Sequence, residues 1–349
     1  MRYLSNGIVL AMAFAALVAA SQGFAQTPKG NRLLGMDVQA ARDGGYDTAF
    51  QIAKKAGAQV VSVSINWDDI ESEPGQYHNA SLQAANAYYP AQHVRVSLCI
   101  RPLDTNGPHM PADLRGQPMD SDVVEERFGK MMDYVFAQIP DVPLASLGVG
   151  NEVNIDFGTD AGKWARYRRF FAAVRRRIQA KHPDLPIGVP VTFEGVTGAA
   201  RGEVKTLNAA SDWVMVTYYP LNTDFTVKAP GTASRDFDRL ARLYPNRKIA
   251  LMEAGCPSGA LCLSSETRQA EFVTQVFRAW DAHAAQIPLV SFSWLNDKST
   301  ADMDGFARYY GVNAPPFREY LQTLGLRTWE GKDKAAFRVL TQEARARGW

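Results

Sequence analysis

Short apolar runs and helix-patterned segments alternate along the whole chain, and that alternation restricts the fold more than any other feature. Strands are expected at residues 33–37, 60–66, 94–100, 145–150, 186–191, 213–217, 248–253 and 289–294, eight in all. Residues 46–55, 81–89, 121–138, 160–181, 204–210, 233–243 and 266–286 read as the intervening helices, and 334–347 as a last helix across the exterior. The clearest helix is 160–181, where Trp164, Tyr167, Phe171 and Val174 recur at helical spacing. Strands that are apolar on both faces and joined through helices pair in parallel, and eight of them close into a ring. The expected fold is therefore α/β, a (β/α)8 TIM barrel in a single domain. A chain of 349 residues with 46% hydrophobic content suits such a barrel and can fill its core. No GxGxxG or GxxxxGK[ST] pattern follows any strand, which removes the usual open-sheet nucleotide reading.

The first residues differ in kind. Arg2 supplies a positive start, residues 7–20 are uncharged and mostly apolar, and Gly23-Phe24-Ala25 places small residues before a cut. Residues 1–25 read as a secretory signal and 26–349 as the barrel domain. The apolar run falls short of the roughly 20 residues that a spanning helix requires. The mature protein is expected to be secreted or periplasmic, with no membrane insertion, and a monomer by default. Formal charge is +2 for the full chain and +1 once Arg2 is removed, a balance that gives no argument for nucleic acid. The arginines at 166, 168, 169, 175, 176 and 177 fall within one helical pattern and are expected on a solvated face. Cys256 and Cys262 bracket a short loop that can close as a disulfide in an exported protein, whereas Cys99 sits inside an apolar run as a small buried hydrophobe. The five histidines show no paired ligand spacing, so neither a metal nor an organic cofactor is expected.

Two strands end in a carboxylate. Leu147-Gly148-Val149-Gly150 gives way to Asn151-Glu152, and Ile249-Ala250-Leu251-Met252 to Glu253. Strand ends four and seven lie on the carboxyl-terminal rim of a barrel, where active sites form, and inward-pointing side chains can meet across its mouth. A pair of carboxyls about 5–5.5 Å apart suits a retaining double displacement at a glycosidic bond. One protonates the leaving oxygen; the other attacks the sugar.

The order Asn-Glu after strand four, Glu253 ending strand seven, Tyr218-Tyr219-Pro220 after strand six and Trp294 after strand eight resembles the clan A glycoside hydrolases, retaining (β/α)8 enzymes. Residues 67–77, from Trp67 through Ile70-Glu71 to Gly75 and Tyr77, are similar to a W-x-x-I-E-P-x-x-G-x-Y segment of several of those families. Gly325-Leu326-Arg327 and the run from Gly331 through Lys334 to Ala335 resemble their tail. Glu253-Ala254-Gly255 and the two tyrosines look nearest to the endo-β-glucanase and endo-β-galactanase branches.

The resemblance implies roles. Glu152 would be the acid/base and Glu253 the nucleophile. Asn151 would hydrogen-bond the sugar 2-hydroxyl, and Tyr219, with Tyr218 as fallback, would donate to Glu253. Trp294 would be the sugar platform, and spare aromatics such as Trp67, Phe157 and Phe225 would serve a longer carbohydrate substrate. One departure stands out: many of these families carry an arginine on strand two where this chain has Ser62. Arg101, ending strand three, is the nearest cation able to take its place.

Other acids lie near the same rim in sequence. Asp68, Asp69, Glu71 and Glu73 are expected in solvent or capping the next segment, and Glu194 and Asp297 as surface charge. Asp104 and His109 belong to a long loop, 101–119, that should wall the cleft with 220–234. The expected function is hydrolysis of a β-linked poly- or oligosaccharide. Transglycosylation, and a non-catalytic saccharide-binding barrel, are the alternatives.

Overall fold

The computed structural model describes residues 26–349, so the signal expected at 1–25 lies outside the described residues. One sheet holds nine strands: β1 Leu33–Met36, β2 Val60–Asn66, β3 Arg95–Arg101, β4 Leu144–Val149, β5 Ile187–Gly188, β6 Val191–Thr192, β7 Val214–Tyr218, β8 Ile249–Ala254 and β9 Leu289–Phe292. Their order is β5-β4-β3-β2-β1-β9-β8-β7-β6, parallel throughout. β5 and β6 are halves of one stave, separated by Val189 and Pro190, so the chain itself joins the two ends of the sheet and eight staves close. The Asp212 N–H donates to the Ile187 carbonyl at 2.8 Å, tying the fifth stave to the sixth. A single strand was expected over 186–191; proline has no N–H to give a ladder, and the strand splits around it.

Helices cover the ring. The longest, Ala161–Gln179, begins where Asp160 accepts from the Gly162 and Lys163 N–H groups at 2.8 and 3.0 Å. Its buried stripe runs through Trp164, Tyr167, Phe171, Val174 and Ile178. The opposite face carries ion pairs to neighbouring segments, Arg168–Glu203, Arg169–Asp120, Arg175–Asp212 and Arg177–Asp133. No helix among the described residues is long and apolar enough to cross a membrane.

Two of the recognisable motifs turn out to be braces. Trp67 is fully buried with its ring edge-on to Phe128 at 5.1 Å, and its Nε1–H donates to Glu71 Oε2 at 2.8 Å. Glu71, also fully buried, further accepts from Arg127 Nε at 2.8 Å and the Gly75 N–H at 2.7 Å. Neither residue is in solvent or at a sugar: the segment locks the β2 loop. In the tail, buried Lys334 donates to Asp297 at 2.7 Å and to the Gly325 carbonyl at 2.8 Å.

The cysteine expectation fails. Cys256 and Cys262 are free, buried thiols. The Cys262 Sγ–H turns to the Pro316 carbonyl at 3.4 Å, and the loop between the two residues is held instead by the Cys262 N–H on Glu319 at 3.0 Å and by Gln269 on the Cys256 carbonyl at 2.9 Å.

Two helices after β9, Thr300–Tyr310 and Pro315–Gln322, were not expected from the sequence. They fold over the rim and matter to the site.

Candidate active site

The turn that delivers Glu152 begins at Gly150, in a left-handed conformation with φ 76°. A Cβ there would stand 2.3 Å from the Tyr167 hydroxyl, so only glycine fits. Glu152 is itself left-handed, φ 46° and ψ 37°, at the start of helix Val153–Phe157. Such a backbone costs about 1–3 kcal/mol in a non-glycine residue and concentrates at functional positions. Glu253 arrives differently. The β8 register shifts between Leu251 and Glu253 against β7, a bulge that re-aims its side chains. Strict alternation would put Met252 and Glu253 on opposite faces; here both line one interior cavity.

Each carboxylate has its own hydroxyl partner. Thr217 Oγ1 donates to Glu152 Oε1 at 2.5 Å, and the Tyr219 hydroxyl donates to Glu253 Oε2 at 2.5 Å. Burial is the main reason that both acids titrate high. Glu152 is pushed up to about 8, by burial first and then by the charge of Glu253, with Thr217 opposing. Glu253 is pushed up to about 7 by burial; Tyr219 and, last, Arg101 pull it down, while Asp37 and Asp104 raise it. Glu152 is the one that holds its proton longer.

Asp104 is the hub of the neighbouring network. Only 1% exposed, it sits in a small hairpin of Leu103–Asp104 with Gly107–Pro108 that follows β3. It accepts from Asn151 Nδ2 at 3.0 Å, Arg101 at 2.9 Å, the Thr105 N–H at 2.8 Å and the Tyr309 hydroxyl. With one amide hydrogen committed to Asp104, Asn151 is oriented beside Glu152. Arg101 lies at this rim, but its guanidinium is tied to Asp104, and its pull on Glu253 ranks last.

Ser62 explains what the absent arginine leaves behind. Its Oγ lies 3.4 Å from Ser291 Oγ, and it borders a cavity of ≈ 210 Å³ with Ser64, Ser97 and Cys99 below and Asn151 and Glu253 above. Small hydroxyls occupy the barrel interior under the nucleophile where a long cationic side chain would fill it.

Trp294 stands at the rim on the opposite flank. Its side chain faces half-buried Asp37, Lys298 Nζ lies 4.5 Å from its ring centroid, and Phe306 stacks on it at 5.8 Å. Tyr218 is the residue that does not come to the site. It is fully buried among Phe193, Phe237 and Phe272, its hydroxyl donating to Asp236 at 2.8 Å, because neighbouring strand positions face opposite ways. Phe157 is buried against Trp164, and Phe225 stacks on Tyr320 at 6.1 Å. Glu194 is 57% exposed and lies 3.7 Å from Lys228. No group of three or more potential metal-ligating side chains occurs among the described residues.

Sequence reading missed Thr217, Asp37 and the tyrosines of the two rim helices. Tyr310 and Tyr320 stand half-buried within electrostatic range of both glutamates. A signal was present: Ser299 and Asp302 form a reciprocal capping box and Gly311, φ 67°, ends the helix, a start and stop readable in the sequence.

No protein-family model matches the chain, and no curated protein matches it. Solved structures do. A GH5_18 protein of Bifidobacterium longum subsp. longum, in complex with Manβ1-4GlcNAc, superposes with a TM-score of 0.70 at 13% identity, covering 90% of this chain and 78% of that one. An exo-β-1,4-mannosidase of Opitutaceae bacterium strain TAV5 gives 0.65 at 17% identity, covering 93% and 61%. A family 39 glycoside hydrolase of Bacteroides cellulosilyticus WH2 gives 0.61 at 13%, covering 91% and 65%. The chain thus shares the fold of these glycoside hydrolases, the (β/α)8 barrel expected from its sequence.

Proposed function

We propose that the chain is a retaining glycosidase of β-linked saccharides, with Glu152 as acid/base and Glu253 as nucleophile. One observation carries the reading: two half-buried glutamates on the carboxyl-terminal rim, each hydrogen-bonded by a different hydroxyl, with Glu152 the more strongly raised of the two.

The hydrogen bonds support one division of labour among the oxygens. Tyr219 occupies Glu253 Oε2, leaving Oε1 to attack the anomeric carbon. Thr217 occupies Glu152 Oε1, leaving Oε2 to carry the proton to the leaving oxygen. In the first step the bond from anomeric carbon to leaving oxygen breaks as the bond to Glu253 forms, and the leaving oxygen takes the proton of Glu152. Glu253 is then an uncharged ester, so Glu152 no longer feels its charge and its affinity for a proton falls. It can now take one from water as the water oxygen attacks the same carbon and Glu253 departs with the electron pair. Asn151, steadied by Asp104, would meet the sugar 2-hydroxyl, and Trp294 would bound the sugar's flank.

Neighbours solved with Manβ1-4GlcNAc, or named as β-1,4-mannosidase, support placing β-mannosides first among candidate substrates. The test is a reducing-sugar screen over β-mannans, glucans, galactans and xylans with wild type and Glu253→Ala side by side. Release by the wild type alone fits the proposal. Equal release from both removes Glu253 from the chemistry. Binding without turnover, unaffected by Glu253→Gln, marks a saccharide-binding barrel instead.

A further inference from the structure

One sector of the barrel rim has a roof. In the ring β3 and β9 are separated by β2 and β1, yet their loops meet. Tyr309, on helix Thr300–Tyr310 beyond β9, donates to Asp104 beyond β3, and its ring stacks on His109 of that same loop at 5.8 Å with 15° between planes. The bridge therefore crosses above the β1–β2 sector, whose Ser62 and Ser64 face the cavity. Phe306 of the same helix stacks on Trp294. Asp104 is also the partner of Asn151, so the roof is fastened on the side where a sugar 2-hydroxyl would sit. The rim beyond Glu152 is different: Glu194 there is 57% exposed.

We infer that the bridge from Tyr309 to Asp104 ends the glycone side of the cleft after one sugar residue, so that the enzyme removes terminal residues from the non-reducing end and leaves internal bonds intact. This rests on the glycosidase reading of Glu152 and Glu253. A second glycone residue would have to pass between Tyr309 and Asp104. That passage breaks a hydrogen bond to a buried carboxylate, about twice as strong as a neutral one, together with the His109 stack. Exclusion by an obstructing contact is a direct route to specificity. The leaving group, on the open side, can be long.

The experiment uses reducing-end-labelled β-linked hexose oligosaccharides in two forms, one with a free non-reducing end and one with a benzylidene acetal on the terminal sugar, alongside activated dinitrophenyl β-glycosides that need only one sugar site. Wild type should shorten the free form one residue at a time, releasing monosaccharide only, and leave the blocked form intact. Tyr309→Ala should raise the ratio of blocked to free cleavage about tenfold. His109→Ala, which removes the stack without touching Asp104, should move the ratio the same way and guards against misfolding of the first variant. Release of disaccharide or longer pieces by the wild type, with the aryl glycosides turned over, overturns the inference alone. An unchanged ratio in both variants removes the bridge from specificity. Silence on every substrate, aryl glycosides included, overturns the glycosidase reading and this inference with it.

Discussion

Thr217 and Tyr219, two positions apart on β7 and its continuation, face the same way and hand their hydroxyls to different carboxylates, Thr217 to Glu152 and Tyr219 to Glu253, each at 2.5 Å. The period of two along a strand makes this possible, and Tyr218 between them is turned into the helical layer for the same reason. One stave thus supplies a hydroxyl to a carboxylate on each of two others.

The pH profile follows from that arrangement. The proposed mechanism needs Glu253 ionised and Glu152 protonated, and burial pushes them to about 7 and about 8. The profile of kcat/KM should be a narrow bell, rising as Glu253 loses its proton near 7 and falling as Glu152 loses its own near 8. A rising limb near 4.5, the ordinary glutamate value, would mean that burial does not govern the pair.

Tyr219→Phe keeps the ring against Tyr320 and removes the hydroxyl. Since that hydrogen bond is the largest influence lowering Glu253, its loss should move the rising limb to higher pH. A hydrogen bond to a charged group counts for about 1.5–3 kcal/mol, so kcat should drop about 10- to 100-fold. An unmoved limb would reduce Tyr219 to packing.

Stability should respond to the same burial. Between the ordinary 4.5 of a glutamate and the raised value of about 8, folded Glu152 holds a proton that the unfolded chain does not. Stability therefore falls as pH rises through this window, and the loss is complete above about 8. Glu152→Gln, which cannot ionise, should match wild type in Tm near pH 5 and exceed it by about 2 °C or more near pH 8. A difference that does not grow with pH would contradict the burial account.

The thiols offer a separate check on the fold. Cys99, Cys256 and Cys262 are free, and burial pushes each up to about 12. Native protein should be inert to a thiol reagent, denatured protein should titrate all of them, and a reductant should leave Tm unchanged. A fall of several degrees on reduction would restore the Cys256–Cys262 bridge.

The barrel was legible because its information is local. Runs such as Val60 to Asn66 are long and apolar enough to announce strands, and Asp160 marks the start of its helix. Glu152 and Glu253 were legible for the same reason, as the first charges at strand ends. What escaped depends on contacts distant in sequence. Asp104 gains its partners from Asn151 and from Tyr309, the latter 205 residues away, and nothing adjacent to it foretells either. Trp67 reads as a spare aromatic and Glu71 as solvated or capping, whereas the two bury each other. The bulge before Glu253 breaks the alternation on which a facing argument relies. Helix Thr300–Tyr310 carried readable caps, but a ninth helical segment had no place in a regular eightfold count.

The most direct measurement is covalent trapping. A fluorinated β-glycoside that slows the second step, incubated with the protein and followed by peptide mass spectrometry, should add one glycosyl mass to the peptide containing Glu253 and none in Glu253→Gln. Label on another residue, or turnover of the parent substrate with no trapped species, would contradict Glu253 as the nucleophile of a retaining mechanism.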